Sequence, residues 1–303
     1  MKKQLPQGSE IHFLTKPSFA FLLDQNPYLD KLLLLHPNLG ETLSDIKQQT
    51  YDYIVDLHNN LRTLNIKSRT GIPSFAFDKL NFKKFLLTAF HLNRLPSIHI
   101  VDRYFNTIKS LGIMNDGDGL DYFSPASVDH LLTENQLLNH EFITMAIGGQ
   151  HATKRMPINK LSEIIDKTRY KVVLLGGKED TMTGNALFEK HQDKVINFVG
   201  RLSVHESAGA VDRSRLLVTH DTGMMHIAAA LKKPVMAIWG NTVPDFGMTP
   251  YYGNERVPTF NFEVDGLRCR PCSKLGYSKC PKGHFNCMNL QDTTRIADKI
   301  NSF

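Results

Sequence analysis

The sequence predicts an α/β protein built from two doubly wound, Rossmann-like domains. Three observations carry that expectation. Short runs of branched apolar residues alternate with amphipathic stretches along almost all of the 303 residues, the pattern of parallel strands covered by helices. The pattern lapses once, over 115–139, where Gly117, Gly119, Pro125 and many polar residues read as a linker. The chain is also long enough for two domains of ordinary size. The expected division is a first domain over 1–125, a linker over 126–140 and a second domain over 141–303.

The first domain opens with a strand over 10–15, a short helix over 17–24 and a second strand over 31–35. A helix over 41–48 follows, then a buried strand over 53–57 and a helix from about residue 60. A strand over 74–77 and helices over 82–90 and 101–111 complete it. The alternation restarts at Phe142 with a strand over 142–147 and a helix over 158–167 that begins just after Pro157, as helices often do. A strand over 171–175, a helix over 181–190, a strand over 195–198 and a helix over 204–211 continue it. A Cys-rich loop and a final helix end the chain.

Apolar residues make up 41% of the chain, enough for a sizeable core. The net charge is +6, from 36 Lys plus Arg against 30 Asp plus Glu, and the pI is near 9.0. Such a balance suits anionic ligands, among them nucleotide diphosphates and phosphorylated lipid head groups. No basic stripe interleaved with aromatics and no zinc-finger spacing points to nucleic acid, which is not expected as a partner. No run approaches the ~20 apolar residues needed to span a bilayer. The N-terminus, MKKQLPQGSE, lacks the apolar stretch of a signal peptide. The expected location is cytoplasmic, with a basic surface suited to the anionic inner face of the cytoplasmic membrane.

The segment over 214–245, SRLLVTHDTGMMHIAAALKKPVMAIWGNTVPD, is the most informative stretch. It reads as strand over 216–219, tight turn, helix, strand over 235–239, then a loop. Asp221 and Thr222 offer capping side chains and Gly223 a flexible residue where the helix begins. Pro234 stops that helix. A helix N-terminus at the carboxyl ends of parallel strands presents free N–H groups and the positive end of its dipole, a place for phosphate. His226 lies within the first turn or so, within reach of a bound diphosphate.

This segment resembles the donor-binding motif of glycosyltransferase family 9, the ADP-heptose:lipopolysaccharide heptosyltransferases. The resemblance rests on DTGMMHIAAAL, KKPVMAIWGNTVP, AIGGQHATKRMP and LLGGKED, in the family's order and spacing. It implies a GT-B architecture, two Rossmann-like domains facing across a cleft. It also implies an inverting transferase that moves heptose, or a related sugar, from a nucleotide diphosphate sugar, ADP-heptose first, to a lipid-linked lipopolysaccharide core acceptor. No cofactor is implied. Lys154 matches the lysine of the family's Lys-x-x-Pro segment, which contacts donor phosphate or the acceptor. An acidic residue near Gly176-Gly177 is implied for the ribose; Glu179 and Asp180 are both candidates, Glu179 preferred, with helix capping the competing role for Asp180. The N–H groups of Thr222, Gly223 and Met224, together with His226, would hold the leaving diphosphate. Asp221 would orient a donor hydroxyl or cap the helix. On the acceptor side, His58, Asn59 and Arg62 follow a strand of the first domain, and Arg62 suits a phosphate or carboxylate.

The family ordinarily begins with a strand, a loop carrying an aspartate implicated as the general base, and a helix. Met1–Pro6 matches the end of that helix, so the first strand and most of the first helix are expected to be missing here, and the catalytic residue stays unknown. Unpaired strand edges are the expected consequence. A binding protein without transferase activity is therefore a coherent alternative, and a sugar-nucleotide epimerase or hydrolase a weaker one. Cys269, Cys272, Cys280 and Cys287, with His284, have zinc-like spacing. Structural zinc and a packed loop of reduced thiols both stay open, the thiols preferred and no metal assigned.

Overall fold

The computed structural model describes residues 1–123, 126–137 and 139–303, so Pro125 of the expected linker lies outside the described residues. The chain divides into two compact units, residues 1–80 with 98–116, and residues 81–97 with 117–303.

In the first unit, β1 (His12–Thr15), α1 (Pro17–Ala20), β2 (Lys31–Leu34), α2 (Leu39–Lys47), β3 (Ile54–Asp56), α3 (Leu61–Thr70) and β4 (Ser74–Ala76) follow one another. The helix expected over 17–24 closes after one turn. β1 pairs in parallel with β2, and β3 with β4, as two separate sheets rather than one. No strand among the described residues joins the two pairs. Leu43 and Ile46 of α2 and Ile66 of α3 form a small core with Leu14 and Leu33 from β1 and β2. Asn38 caps α2, and Asn60 and Thr63 close a reciprocal capping box on α3.

α4 (Asn81–Phe90) belongs to the second unit, and α5 (Ile100–Thr107) to the first. Within the stretch read as a linker, α6 (Asp129–Glu134) forms, and Val128 and Leu132 are buried. The rest of the second unit is a regular alternation: β5 (Phe142–Ala146), α7 (Ile158–Lys167), β6 (Lys171–Leu175), α8 (Thr181–Lys190), β7 (Val195–Asn197), α9 (Val204–Arg213), β8 (Leu217–His220), α10 (Gly223–Ala230), β9 (Val235–Ile238), β10 (Thr259–Phe262), α11 (Asn286–Asn289) and α12 (Thr293–Asn301). Thr259–Phe262 was not expected as a strand.

These strands form one parallel sheet in the order β10-β9-β8-β5-β6-β7. Each strand alternates its side chains between the two faces, so both faces must be covered. Ile143, Met145, Val172, Leu174, Val218 and Met236 pack on one face against Leu161, Ile164 and Ile165 of α7 and Ile296 and Ile300 of α12. Phe142, Ala146, Val173, Leu175, Leu217 and Trp239 pack on the other against α9 and α10. This is why the strands read as near-continuous apolar runs. The strand order reverses between β5 and β8. In sheets of this kind ligands bind outside the carboxyl ends of the strands at that reversal.

Candidate functional site

Two loops flank the reversal: 147–157 after β5, and Asp221-Thr222 after β8. The second runs directly into α10. Thr222 is the N-cap of α10, yet its side chain makes no capping hydrogen bond; its Oγ1 lies 3.2 Å from Thr219 Oγ1. The expected capping by Asp221 and Thr222 is therefore not what the side chains do. The first N–H groups of α10 keep their hydrogen-bonding capacity and the positive end of the helix dipole. The space over Gly223 is open, since a Cβ there would meet no atom within 4 Å. Met224 brings only its backbone to this edge, because its side chain packs on the core beneath. His226 is half-buried one turn into the helix.

Asp221 has another task. Its Oδ2 accepts from Lys154 Nζ at 2.6 Å and from Thr242 Oγ1 at 2.9 Å, while its backbone carbonyl accepts from the same ammonium at 3.2 Å. Lys154 is thus not a solvated lysine. It sits at the end of a 3-10 turn (Ala152–Lys154), half-buried with Asp221. Gly149 adjoins both sides of this arrangement, with a Cβ position 3.6 Å from Thr222 Cγ2 and 3.9 Å from Lys154 Cβ. Lys154, Asp221 and the start of α10 therefore meet on one edge of the sheet.

The supporting contacts come from residues that the sequence did not single out. His220, the last residue of β8, is buried; its Nε2 accepts from Met156 N–H at 3.0 Å, and its Nδ1 lies 3.4 Å from Gly148 O. That pattern requires the neutral ring with the proton on Nδ1. Burial pushes its pKa down to about 4, only partly offset by the bond to Gly148. Arg155 donates from Nε to Gly149 O at 2.6 Å and pairs with Asp180 Oδ1 at 3.2 Å. Arg270 donates to Gly240 O and Thr242 O and pairs with Glu263, tying the loop after β9 to the Cys-rich loop. Nothing in the local sequence flags Arg270, whose guanidinium partners are 6 to 31 residues away.

Burial separates Glu179 from Asp180. Asp180 is buried, accepts from Gly177 N–H at 3.0 Å and holds Arg155; burial raises its pKa, with the Gly177 bond and Arg155 opposing. Glu179 is exposed beside it. On the first unit, Asp56 ends β3 and accepts from the N–H groups of His58 and Asn59 at 3.1 and 2.7 Å, and pairs with Lys67 at 2.8 Å. Asn59 spends its side-chain amide on Phe77 O at 2.9 Å. His58 and Arg62 are exposed.

In the Cys-rich loop, Cys269 Sγ lies 3.9 Å from His284 Nε2, and Cys272 Sγ donates to the Cys269 carbonyl. Cys287 is buried, and burial pushes its thiol up to about 12. Among the described residues all four cysteines are free, and no three His, Cys, Asp or Glu side chains are grouped so as to hold a metal ion.

Lys154, paired with Asp221, and the start of α10 thus lie at the strand reversal of a parallel sheet, where sheets of this kind take their ligands. The sequence profile of glycosyltransferase family 9 (heptosyltransferase) matches residues 41–273, and the chain belongs to that family. The lipooligosaccharide heptosyltransferase 2 of Haemophilus influenzae is 25% identical over 257 residues, 78% of this chain and 72% of that protein. Among solved structures, the family 9 glycosyltransferase of Veillonella parvula superposes with a TM-score of 0.68 at 23% identity, over 84% of this chain and 77% of that one. E. coli heptosyltransferase WaaC with ADP-2-deoxy-2-fluoro heptose superposes with a TM-score of 0.60 at 17% identity, over 87% and 86%. The fold is GT-B, and the chain is a glycosyltransferase of the heptosyltransferase family.

Proposed function

We propose that this protein transfers heptose from ADP-heptose to a lipopolysaccharide core acceptor, with inversion at the sugar carbon. The observation that supports this most directly is the convergence of Lys154, Asp221 and the side-chain-uncapped start of α10 at the strand reversal. In the reaction, the bond between the anomeric carbon and the diphosphate oxygen breaks as the acceptor hydroxyl oxygen bonds that carbon from the opposite side. The acceptor proton leaves to a base, and ADP leaves with its added negative charge. The N–H groups of Gly223 and Met224, with His226, face that charge, and Lys154 supplies a cation already oriented by Asp221. Preorganised donors of this kind act where charge develops. Glu179 accepts from the ribose hydroxyls, while Asp180 holds the loop. On the first domain, over 1–125, Arg62 and His58 take the phosphates of the acceptor, and Asn59 keeps their turn in shape.

The lipid-linked acceptor puts the protein on the cytoplasmic side of the membrane that carries it. Among the described residues no helix is long and apolar enough to cross a membrane.

Calorimetric titration with ADP and a transfer assay on heptose-deficient lipopolysaccharide test the reading. His226→Ala is expected to weaken ADP binding by ~1–2 kcal/mol, the loss of a hydrogen bond to a charged group. Arg62→Ala is expected to raise the KM for acceptor while leaving ADP affinity unchanged. An unaltered ADP affinity in His226→Ala would remove that residue from the site. Failure of the wild-type chain to bind ADP at all would overturn the donor assignment.

A further inference from the structure

α4 is fixed to the second unit by one side only. Leu87 packs with Val243 and Phe246, and Lys274 Nζ reaches Asn81 Oδ1 at 3.2 Å. Just past the helix, His91 Nδ1 lies 3.1 Å from Arg270 O. The opposite stripe, Phe82, Phe85 and Ala89, recurs at the i, i+3, i+7 spacing of one helix face and is bare. Phe82 is 72% exposed, Phe85 54% and Phe90 60%, and Phe85 and Phe90 stack edge to face at 5.8 Å. Leu92 beyond the helix end, and Leu275 and Tyr277 in the adjoining Cys-rich loop, are exposed as well.

The charge carried by the helix segment and the adjoining loop is predominantly positive. Residues 81–97 carry Lys83, Lys84 and Arg94 and no Asp or Glu. Residues 266–289 add Arg268, Arg270, Lys274, Lys279 and Lys282, again with no acid, although Arg270 is paired with Glu263. The loop and the helix meet in a concavity of about 410 Å³ lined by Thr88, His91, Arg268, Tyr277 and Lys282 among others. Asp245 accepts from Asn93 of this segment at 2.5 Å.

A short helix with bare aromatics on one face, cations beside them and its other face anchored has the composition of an interfacial membrane helix. We propose that α4 and the Cys-rich loop form the surface by which this protein docks on an anionic bilayer. Phe82, Phe85 and Phe90 enter the boundary between head groups and acyl chains, and Lys83, Arg94, Arg268 and Lys282 lie against lipid phosphates. This rests on the proposed lipid-linked acceptor, to which docking would bring the site.

Flotation of the full chain with vesicles tests it. Vesicles of equal parts phosphatidylcholine and phosphatidylglycerol should carry the protein, phosphatidylcholine alone should carry much less, and added salt should weaken the binding. The double substitution Phe82→Ser/Phe85→Ser and the single Lys83→Glu should each reduce flotation, the former by about tenfold or more given the apolar area removed. Titration with ADP on the same samples checks that the variants are folded and separates the two readings. Retained ADP binding with no flotation of the wild type on anionic vesicles would overturn the docking surface alone. Flotation with no ADP binding would support it while removing the donor assignment. Variants that float as the wild type does, or a wild-type dimer in sedimentation that Phe82→Ser/Phe85→Ser dissociates, would also overturn it, the latter by giving the face to a second copy.

Discussion

His220 shows how one side chain supports a site without entering it. Neutral, it links the loop after β5 to the end of β8 through Met156 and Gly148. Its pKa is about 4 in the fold against an ordinary 6.5. Below pH 6.5 the unfolded chain takes up a proton that the folded chain refuses. The stability is therefore fully present above 6.5 and is lost as the pH falls toward 4, by up to about 3 kcal/mol. Thermal midpoints measured from pH 7 to pH 4.5 should fall, and His220→Gln should flatten that part of the curve; an equally steep decline in the variant would remove His220 as its cause. Gly148 makes a second case. A Cβ there would lie 2.3 Å from Asp180 Oδ2, which accepts from Gly177 N–H while the other oxygen of the same carboxylate pairs with Arg155. Gly148→Ala should cost ~1–3 kcal/mol in urea unfolding, as overpacking does, and full stability in that variant would show that Asp180 can move.

Among the elements, α9 offers two tests of different kind. Ser203 and Glu206 form a capping box at its start. Ser203→Ala should cost about 1 kcal/mol, the usual worth of an N-cap. Midway along the same helix, a Cβ on Gly209 would stand 2.1 Å from the carbonyl oxygen of Ala126. That oxygen is backbone and its neighbouring N–H is bonded to His205 O, so it yields less readily than a side chain. Gly209→Ala should therefore cost more than Ser203→Ala, although alanine is the better helix former. Denaturation of the two variants side by side gives the order, and the reverse order would mean that the 126–128 segment shifts freely. The elements with strong local signals were legible beforehand. Helices Ile158–Lys167 and Thr181–Lys190 and strand Lys171–Leu175 fall where the periodicity put them. Thr259–Phe262 carries no such signal, because its pairing with β9 supplies what its own pattern lacks.

For the whole molecule, the two units differ in how much core they own. The first holds a cluster around Leu43, Ile46 and Ile66. The second holds two large clusters, one on each face of a six-stranded sheet. Domains with separate cores need not unfold together. Calorimetric scans should show two transitions, the lower one belonging to the first unit. ADP binds the second unit in the proposed function, so it should raise the upper transition and leave the lower one in place, by mass action on the folded form. A single transition, or a rise in the lower one alone, would contradict this assignment.

The sequence by itself determined the α/β class, the alternation of strands and helices in the second unit, and the strings around Lys154 and Asp221 that mark the family. Those signals are local: apolar periodicity, turn residues and short motifs lie within a few residues of one another. Only the tertiary structure decided what the motif residues do. Lys154 and Asp221 stand 67 residues apart in the chain and meet because β5 and β8 are neighbours in the sheet. The same adjacency lets His220 take its place beside Gly148, while the pairing of β5 with β6 brings Asp180 inward to Arg155 and leaves Glu179 in solvent. Which face of α4 is bare was likewise settled by packing, since burial depends on what the rest of the chain brings alongside.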